Sequence, residues 1–293
     1  MNLKLFAFAS AVVVSASICY ADLTVTNGLQ LWLKGDAGVQ TSGSSVTNWL
    51  DQSGNNNNAS HSLGVFPTMD PTYVANGFNG QPVVRFDGIN DSLKNNSLNL
   101  NGYTQVTGFI VTRYRSLPTP GLEVPWFFNG NGGGCSYCFA ENSPARPSGT
   151  FNYGISGSDG TETIYGSRPG DTNWTAFASS WTNNDFNSFI NDGQDVVHGT
   201  GEFTSIGQTQ SSPDGTRFTL GGHADNVFYA DVDIAEILLY NRQLTAGERS
   251  DVFGYLAVKY NASIPEPSAA YLLAFGAFGL FFFGRKILAT ARR

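Results

Sequence analysis

Three carboxylates lie within six residues near the end of the chain, at Asp231, Asp233 and Glu236. Two carboxyl groups held roughly 5 Å apart on one face of a protein can hydrolyse a glycosidic bond, one as nucleophile and the other as general acid and base. In a regular strand, Asp231 and Asp233 share one face while Glu236 points to the other. Catalysis would therefore require a β-bulge near Ala235, and no residue type there indicates one.

Three tryptophans have the size and the polar neighbours that suit stacking against a sugar ring: Trp126, Trp174 and Trp181. Trp174 and Trp181 belong to one segment of period two, in which they fall on opposite faces of a strand. Because at least one of those faces must pack in the core, we expect no more than one of the two outside.

The turn around residue 88 gathers three oxygen-bearing side chains that suit calcium, at Asp87, Asn90 and Asp91. The alternative interpretation is that Asp87 and Asn90 cap the backbone of their own turn. Calcium is the one cofactor that the sequence suggests, and both interpretations stay open at this level.

Cys135 and Cys138 form a C-x-x-C pair directly after three glycines. Redox-active pairs of this spacing normally begin a helix, whose N-terminus lowers the thiol pKa, and the residues that follow here have little helical tendency. We therefore expect either a local disulfide or two free thiols.

The elements that must position these residues are short strands. The runs 29–34, 106–113 and 151–155 alternate with a period of two, and clusters of Asn, Asp and Gly separate such runs. The dipeptide Asp192-Gly193 is typical of a hairpin turn. One stretch differs from this pattern. Thr245 and Glu248 have the spacing of a capping box, and apolar residues follow them at intervals of three and four. Together these signals predict an amphipathic helix over 246–260.

The composition favours β-sheet with long polar loops in one domain, residues 22–263. Charged residues are 13% of the chain against a usual quarter, while aromatic residues reach 13% and glycines number 34. With 16 basic and 23 acidic residues the net charge is −7. A nucleic-acid partner is therefore not expected.

The N-terminus has the composition of a secretory signal peptide. Lys4 is the only charge before Asp22, the run 5–18 is largely apolar, and Cys19 and Ala21 place small side chains at the two positions that govern cleavage. Residues 1–21 are accordingly interpreted as a signal that is removed, and the domain is expected to be exported.

The C-terminal segment 264–293 combines a short motif, an uncharged span and a basic end. The motif is Pro265-Glu266-Pro267, the span 268–284 is just long enough to cross a bilayer as a helix, and four basic residues would remain in the cytoplasm: Arg285, Lys286, Arg292 and Arg293. The alternative, a buried core helix, seldom lies beside a cationic chain end. The segment resembles the PEP-CTERM sorting signal of Gram-negative bacteria. This resemblance implies recognition by an exosortase, removal of the inner-membrane anchor and delivery to the cell surface or extracellular matrix.

A second resemblance covers nearly all of the domain. Its blocks are 29–34, 46–55, 81–88, 220–222, 233–242 and 248–260. In this order they resemble the LamG-like domains of the concanavalin A-like lectin/glucanase superfamily. The resemblance implies an all-β fold, an antiparallel jelly-roll β-sandwich, which here carries the one short helix in addition to the signal helix and the transmembrane helix at the two ends.

The same resemblance leaves two functions to compare. The segment 231–236 approximates the catalytic strand of family 16 β-glucanases, with Asp in place of the first Glu, but it is also a hallmark of LamG-like domains, in which Glu236 is expected to be structural and to pair with Arg242 or cap a loop. We therefore expect a surface or matrix protein that binds glycan or exopolysaccharide without catalysis. The alternatives are a secreted glycoside hydrolase acting through Asp231 and Glu236, and a mechanical matrix protein with no ligand.

Overall fold

The described part of the protein is mostly antiparallel β-structure, with one helix at the position predicted for the amphipathic helix. A computed structural model describes residues 22–61, 69–116, 123–129, 135–141, 150–156, 162–169, 172–182, 185–199, 205–206, 217–222 and 228–260. The predicted signal peptide, residues 1–21, and the predicted sorting segment, residues 264–293, lie outside these ranges. Within the ranges, none of the helical structure is both long and apolar enough to cross a membrane.

The described residues form seventeen strands followed by one helix. The strands are β1 (Leu29–Lys34), β2 (Val39–Ser42), β3 (Ser45–Trp49), β4 (Ala59–Ser60), β5 (Thr72–Phe78), β6 (Gln81–Asp87), β7 (Leu93–Asn95), β8 (Gln105–Tyr114), β9 (Glu123–Asn129), β10 (Cys135–Glu141), β11 (Thr150–Ser156), β12 (Glu162–Pro169), β13 (Thr175–Thr182), β14 (Asp185–Ile190), β15 (Gly193–Gly199), β16 (Phe218–Leu220) and β17 (Asp231–Tyr240). The helix is α1 (Ala246–Tyr260). In β1 the side chains alternate between buried and half-buried, as a period of two requires.

Two long strands, β8 and β17, run side by side through the middle of the sheet. On its other edge β17 pairs with β6 through its first four residues and with β1 through its last five. Beyond β8 the sheet continues through β13, β14 and β15. The remaining strands are arranged around β16, which lies between β7 and β9. The pairing of β3 with β5 joins the strands around β16 to the strands around β17, so the sheet curls back on itself.

The curled sheet has a separate apolar core on each side of its central strands. The inner core lies between the two parts of the sheet, and its largest members include Trp49, Phe86, Tyr114 and Trp181. The outer core lies between the opposite face of the central strands and helix α1, and it includes Phe109, Leu238, Phe253 and Leu256. Each fully buried side chain of this size contributes roughly 1.5–3 kcal/mol relative to exposure. Both faces of β8, β13 and β17 are therefore covered.

Helix α1 begins as the sequence predicts. The Thr245 hydroxyl accepts a hydrogen bond from the Glu248 amide at 3.2 Å, and the Glu248 carboxylate accepts one from the Thr245 amide at 2.9 Å. This reciprocal pair is a capping box, which satisfies two amides at the helix start. The helix then buries Val252, Phe253 and Leu256 against the sheet.

The hairpin between β14 and β15 is confirmed, but its turn lies one residue earlier than predicted. Asn191 and Asp192 both have positive φ, at 47° and 64°, and Ile190 pairs with Gly193. Two successive left-handed residues make a type I′ turn, whose twist matches that of the flanking strands. Gly193 is therefore the first residue of β15 and not part of the tip.

Candidate functional site

Strand β17 contains a β-bulge at Ala235. Ile234 pairs with Thr112 and Glu236 pairs with Val111, so β17 has one extra residue at this point. Val232 and Ile234 face the inner core before the bulge, and Ile237 and Leu239 face it after the bulge. The alternation of side chains therefore shifts by one residue at this point. Asp233 and Glu236 consequently lie on the same outer side of the strand. The expectation that Glu236 points to the opposite face is thus wrong.

Glu236 is fully buried beneath helix α1, where four donors surround its carboxylate. One oxygen accepts hydrogen bonds from Trp32 Nε1 at 2.5 Å and the Tyr255 hydroxyl at 2.6 Å. The other accepts from the Tyr260 hydroxyl at 2.8 Å and from Lys259 Nζ at 2.7 Å. A buried carboxylate is tolerated only when it is paired and hydrogen-bonded in this way.

The two tyrosines remain hydrogen-bond donors at all ordinary pH values. Burial, and secondly the charge of Glu236, raise the pKa of both the Tyr255 and the Tyr260 phenol well above the usual range. Lys259 also bonds to Asp36 at 2.7 Å, so this lysine lies between a buried and a partly exposed carboxylate. The cluster joins the end of α1 to strands β1 and β17.

Asp233 is also fully buried, and two arginines bind it from neighbouring strands. Arg85 of β6 donates from Nε at 2.6 Å and from Nη2 at 3.0 Å. Arg113 of β8 donates from Nε at 3.0 Å and from Nη2 at 2.8 Å. The hydrogen bond with Asp233, together with the charges of Asp233 and Asp231, raises the pKa of Arg85 despite partial burial.

The three acids do not meet in a shared open cleft. Asp231 is partly exposed and bonds to Arg115 at 2.8 Å and to the Ser116 hydroxyl at 2.8 Å. Asp233 and Glu236 are closed off by their partners and by α1. A carboxyl group that is sealed from the surface cannot reach a glycosidic oxygen, so this geometry does not form the pair of carboxylates that hydrolysis needs.

Glu236 does not pair with Arg242, contrary to one expectation from the sequence. Arg242 instead binds Glu248 with two hydrogen bonds, at 2.9 and 2.6 Å. This ion pair lowers the pKa of the Glu248 carboxyl to about 2, helped by hydrogen bonds from Thr245. The structural role expected for Glu236 remains, but its cationic partner is Lys259.

The turn at Asp87 is closed by its own hydrogen bonds. Asp87 Oδ1 accepts from the amides of Ile89 and Asn90, at 2.8 and 3.2 Å, and Asp91 Oδ2 accepts from the Asp87 amide at 2.9 Å. Across the part of the chain that the structure describes, no three acidic, histidine or cysteine side chains assemble as metal ligands. The geometry therefore favours the self-capping turn over a preformed calcium site at Asp87, Asn90 and Asp91.

Only one of the three predicted stacking tryptophans has a described, accessible side chain. Trp181 is fully buried in the inner core, so its proposed contact with a sugar is wrong. Trp174 is half-buried and stacks on Phe78, with ring centroids 4.2 Å apart and planes inclined by 8°. Trp126 lies in β9 opposite Leu220, and its side chain is outside the described residues.

Cys135 and Cys138 both lie in strand β10. An extended strand separates such residues by roughly 10 Å between Cα atoms. A disulfide requires less than about 7 Å. The backbone of the strand therefore does not suit the local disulfide. The sorting motif, Pro265-Glu266-Pro267, and the basic residues after it lie outside the described residues.

An open depression of about 420 Å³ lies near the start of α1. Its charged groups are already paired, since Arg249 binds Asp192 at 3.3 Å and its guanidinium lies 3.8 Å from the Phe189 ring centroid. The rest of the lining combines uncharged polar side chains with Phe189, Leu244 and Ala246, so no charge here selects a class of ligand.

The outer face beside β17 is therefore the stronger candidate surface, and its arginines were not identified from the sequence. Arg85 and Arg113 are each more than 100 residues from Asp233 along the chain. The available signal was their position, because each is a basic residue with a buried residue on either side of it in its strand.

Several solved structures have a fold similar to that of this chain. The binding domain of Paraclostridial Mosquitocidal Protein 1 has a TM-score of 0.54 at 13% identity, over 78% of this chain and 52% of that chain. The botulinum neurotoxin serotype D ligand binding domain, in complex with N-acetylneuraminic acid, has a TM-score of 0.53 at 12% identity, over 78% and 51%. Trypanosoma rangeli sialidase in complex with sialic acid has a TM-score of 0.52 at 13% identity, over 81% and 34%.

This chain spans about half the length of the two toxin domains and about a third of the sialidase. At such low identity the similarity shows the fold alone. No protein-family model and no curated protein matches the chain.

Proposed function

We propose that this protein is an exported carbohydrate-binding protein that does not hydrolyse its ligand. The fold supports sugar binding, because two similar structures were solved with N-acetylneuraminic acid and with sialic acid. One observation carries the non-catalytic part: Glu236, the candidate general acid, is sealed beneath α1 by four hydrogen bonds. The proposed architecture is a jelly-roll sandwich of the concanavalin A-like, LamG-like type over residues 22–263.

A glycan array with the full-length chain in detergent tests this proposal, run with and without calcium. We expect binding to a subset of polysaccharides, with no release of shorter products when the bound glycans are incubated and analysed by chromatography. Release of shorter products by the wild-type chain, lost in Asp231→Asn while that variant melts at the same temperature, would establish the hydrolase instead. A blank array under both conditions would leave the mechanical matrix role.

The proposed location is the cell surface or extracellular matrix, reached through an inner-membrane-anchored precursor. The supporting features are the signal-like segment 1–21 and the tripartite segment 264–293, with an exosortase as the partner that removes the anchor. Replacing Pro265-Glu266-Pro267 by three alanines should leave full-length protein in the inner membrane, as measured by fractionation and immunoblotting. Unchanged release would contradict the sorting proposal without affecting the sugar-binding one.

A further inference from the structure

A row of five polar and aromatic residues crosses the outer face of the sheet beside the outer core. The row consists of Thr72, Arg85, Asp233 and Arg113, which are paired across neighbouring strands, and of Trp174, which lies directly before β13 and contacts Arg113. Adjacent strands lie about 4.8 Å apart, so the row is roughly 19 Å long. We call these five residues the arginine row.

The arginine row carries a surplus positive charge. Two guanidinium groups share the single carboxylate of Asp233, which leaves one cation without a counterion within the row. Asp231 forms its own ion pair with Arg115 next to the row, and its charge also acts on Arg85. Arginine stays protonated at all relevant pH values, so the surplus persists.

Both arginines of the row retain unused hydrogen-bond donors. Each binds Asp233 through Nε and Nη2, and among the described residues neither Nη1 group has a partner. The side chains are 30% and 33% exposed. Each guanidinium is thus held in place by Asp233 while its side chain remains partly exposed. A donor fixed in this way loses little entropy when it binds an anion.

Trp174 adds apolar surface at one end of the row. Its ring is held by the stack on Phe78, and the Arg113 guanidinium carbon lies 5.2 Å from its centroid. An aromatic side chain beside a donor is a common arrangement where a ligand has both an apolar and a polar part. The row therefore offers a cationic and an apolar contact next to each other.

Neutralising the charge of Asp233 requires only one of the two arginines. A single guanidinium satisfies a buried carboxylate with two parallel hydrogen bonds, as Arg85 does for Asp233. The second arginine makes the site cationic and more costly to desolvate unless an anion is bound there. We propose that the arginine row binds a carboxylate-bearing saccharide, with the sugar carboxylate at the open edges of Arg85 and Arg113 and the ring beside Trp174. This inference rests on the proposed sugar-binding function and specifies its ligand class.

Matched acidic and neutral ligands test the inference directly. Oligogalacturonate, hyaluronan oligomers and oligosialic acid are each compared with their carboxyl-reduced forms, by isothermal titration of the full-length chain in detergent. At least one acidic oligomer should bind about tenfold more tightly than its reduced form, as expected for loss of one charge-assisted hydrogen bond. The difference should decrease as salt is added.

Conservative variants then locate the binding surface. In the double variant Arg85→Lys and Arg113→Lys, Asp233 keeps cationic partners but the Nη1 donors are removed. We expect it to lose about tenfold in affinity for the acidic oligomer and to bind the reduced form unchanged. Arg242→Lys changes an equivalent two-bond ion pair outside the row and should bind like the wild type, with thermal melting confirming that both variants are folded.

The outcomes separate this inference from the proposed function. Equal binding of every acidic oligomer and its reduced form, or an acid preference that survives in the double lysine variant, would overturn the arginine row as the site. If neutral glycans still bind on the array, sugar binding itself stands. If neither the array nor any titration shows binding, both proposals are overturned.

Discussion

At the scale of single residues, Glu236 links strands β1 and β17 and helix α1 through hydrogen bonds. Its carboxylate accepts hydrogen bonds from Trp32 of β1 and from Tyr255, Lys259 and Tyr260 of α1, although it belongs to β17. Such a group contributes to stability only as long as its partners are present. Removing one member of a buried ion pair leaves the other charge without compensation.

We predict that Glu236→Gln lowers the free energy of unfolding by about 3–5 kcal/mol, because Lys259 loses its buried counterion. Urea denaturation followed by circular dichroism measures the change. The matched control is Asp36→Asn, the same amide replacement on the other carboxylate that contacts Lys259, which is 32% exposed. It should cost no more than about 1 kcal/mol. Equal decreases in the free energy of unfolding for the two variants would contradict the role of Glu236 in linking these elements.

At the scale of elements, the bulge in β17 decides which side chains share a face. It lies where β17 changes partner from β6 to β1. The Ala235 carbonyl is satisfied there by the Gly35 amide at 2.8 Å and the Tyr260 hydroxyl at 3.2 Å. The extra residue brings Glu236 to the helix side, so that strand and helix are joined by the same cluster.

Helix α1 can be strengthened at Gly254, which is exposed and has no atom within 4 Å of an added Cβ. We predict that Gly254→Ala raises the free energy of unfolding by about 0.5–1 kcal/mol, because alanine loses less backbone entropy in a helix. Chemical denaturation measures the change. Gly221→Ala is the contrasting variant, since φ is +77° and the added Cβ would overlap the Phe86 ring. It should destabilise by about 1–3 kcal/mol, and a stabilising effect there would contradict the packing described.

At the scale of the whole molecule, α1 closes the outer core and is the last element that the structure describes. Its final residue, Tyr260, bonds to Glu236 and stacks on Phe78 with centroids 5.3 Å apart. The same Phe78 stacks on Trp174 of the arginine row. The helix end, the hairpin of β5 and β6 and the proposed binding surface therefore form one continuous layer.

The stability of the whole protein should fall as pH rises from about 4 to about 7. Burial, and secondly the charge of Asp87, raise the pKa of the Asp91 carboxyl to about 7. A carboxyl with a raised folded pKa contributes stability below its unfolded value of about 3.9 and loses it as pH rises through the folded value. The effect is on the order of a few kcal/mol.

Asp91→Asn tests this directly, because an amide resembles the protonated acid. The variant should be more stable than the wild type at pH 8 and should show a flatter profile between pH 4 and pH 8, measured by urea denaturation. We expect calcium to leave the midpoint at pH 8 unchanged. A calcium-dependent rise in the wild type that is absent in Asp91→Asn would reinstate the metal site.

Local patterns predicted the elements well because their causes are local. The period of two in β1 and the capping box at Thr245 depend on neighbouring residues, and both are confirmed. The type I′ turn was displaced by one residue, since Asn, Asp and Gly all tolerate positive φ and the strand register chooses between them.

The acids of the candidate site could be predicted from the sequence, but their partners could not. Asp231, Asp233 and Glu236 stood out as acids, but their roles depend on partners that lie far away in the chain, such as Arg85 at a separation of 148 residues. Whether Trp181 faces a sugar or a core likewise depends on which face of β13 the second part of the sheet covers.

The sequence by itself determined that residues 22–260 are rich in β-strands and carry a helix over 246–260, because backbone propensity and side-chain alternation act over a few residues. Only the tertiary structure decided that Glu236 is sealed, that the bulge at Ala235 turns it outward beneath α1, and that two arginines share Asp233. The physical reason is that burial and charge balance are set by contacts between distant strands, and no local pattern encodes which strand becomes the neighbour.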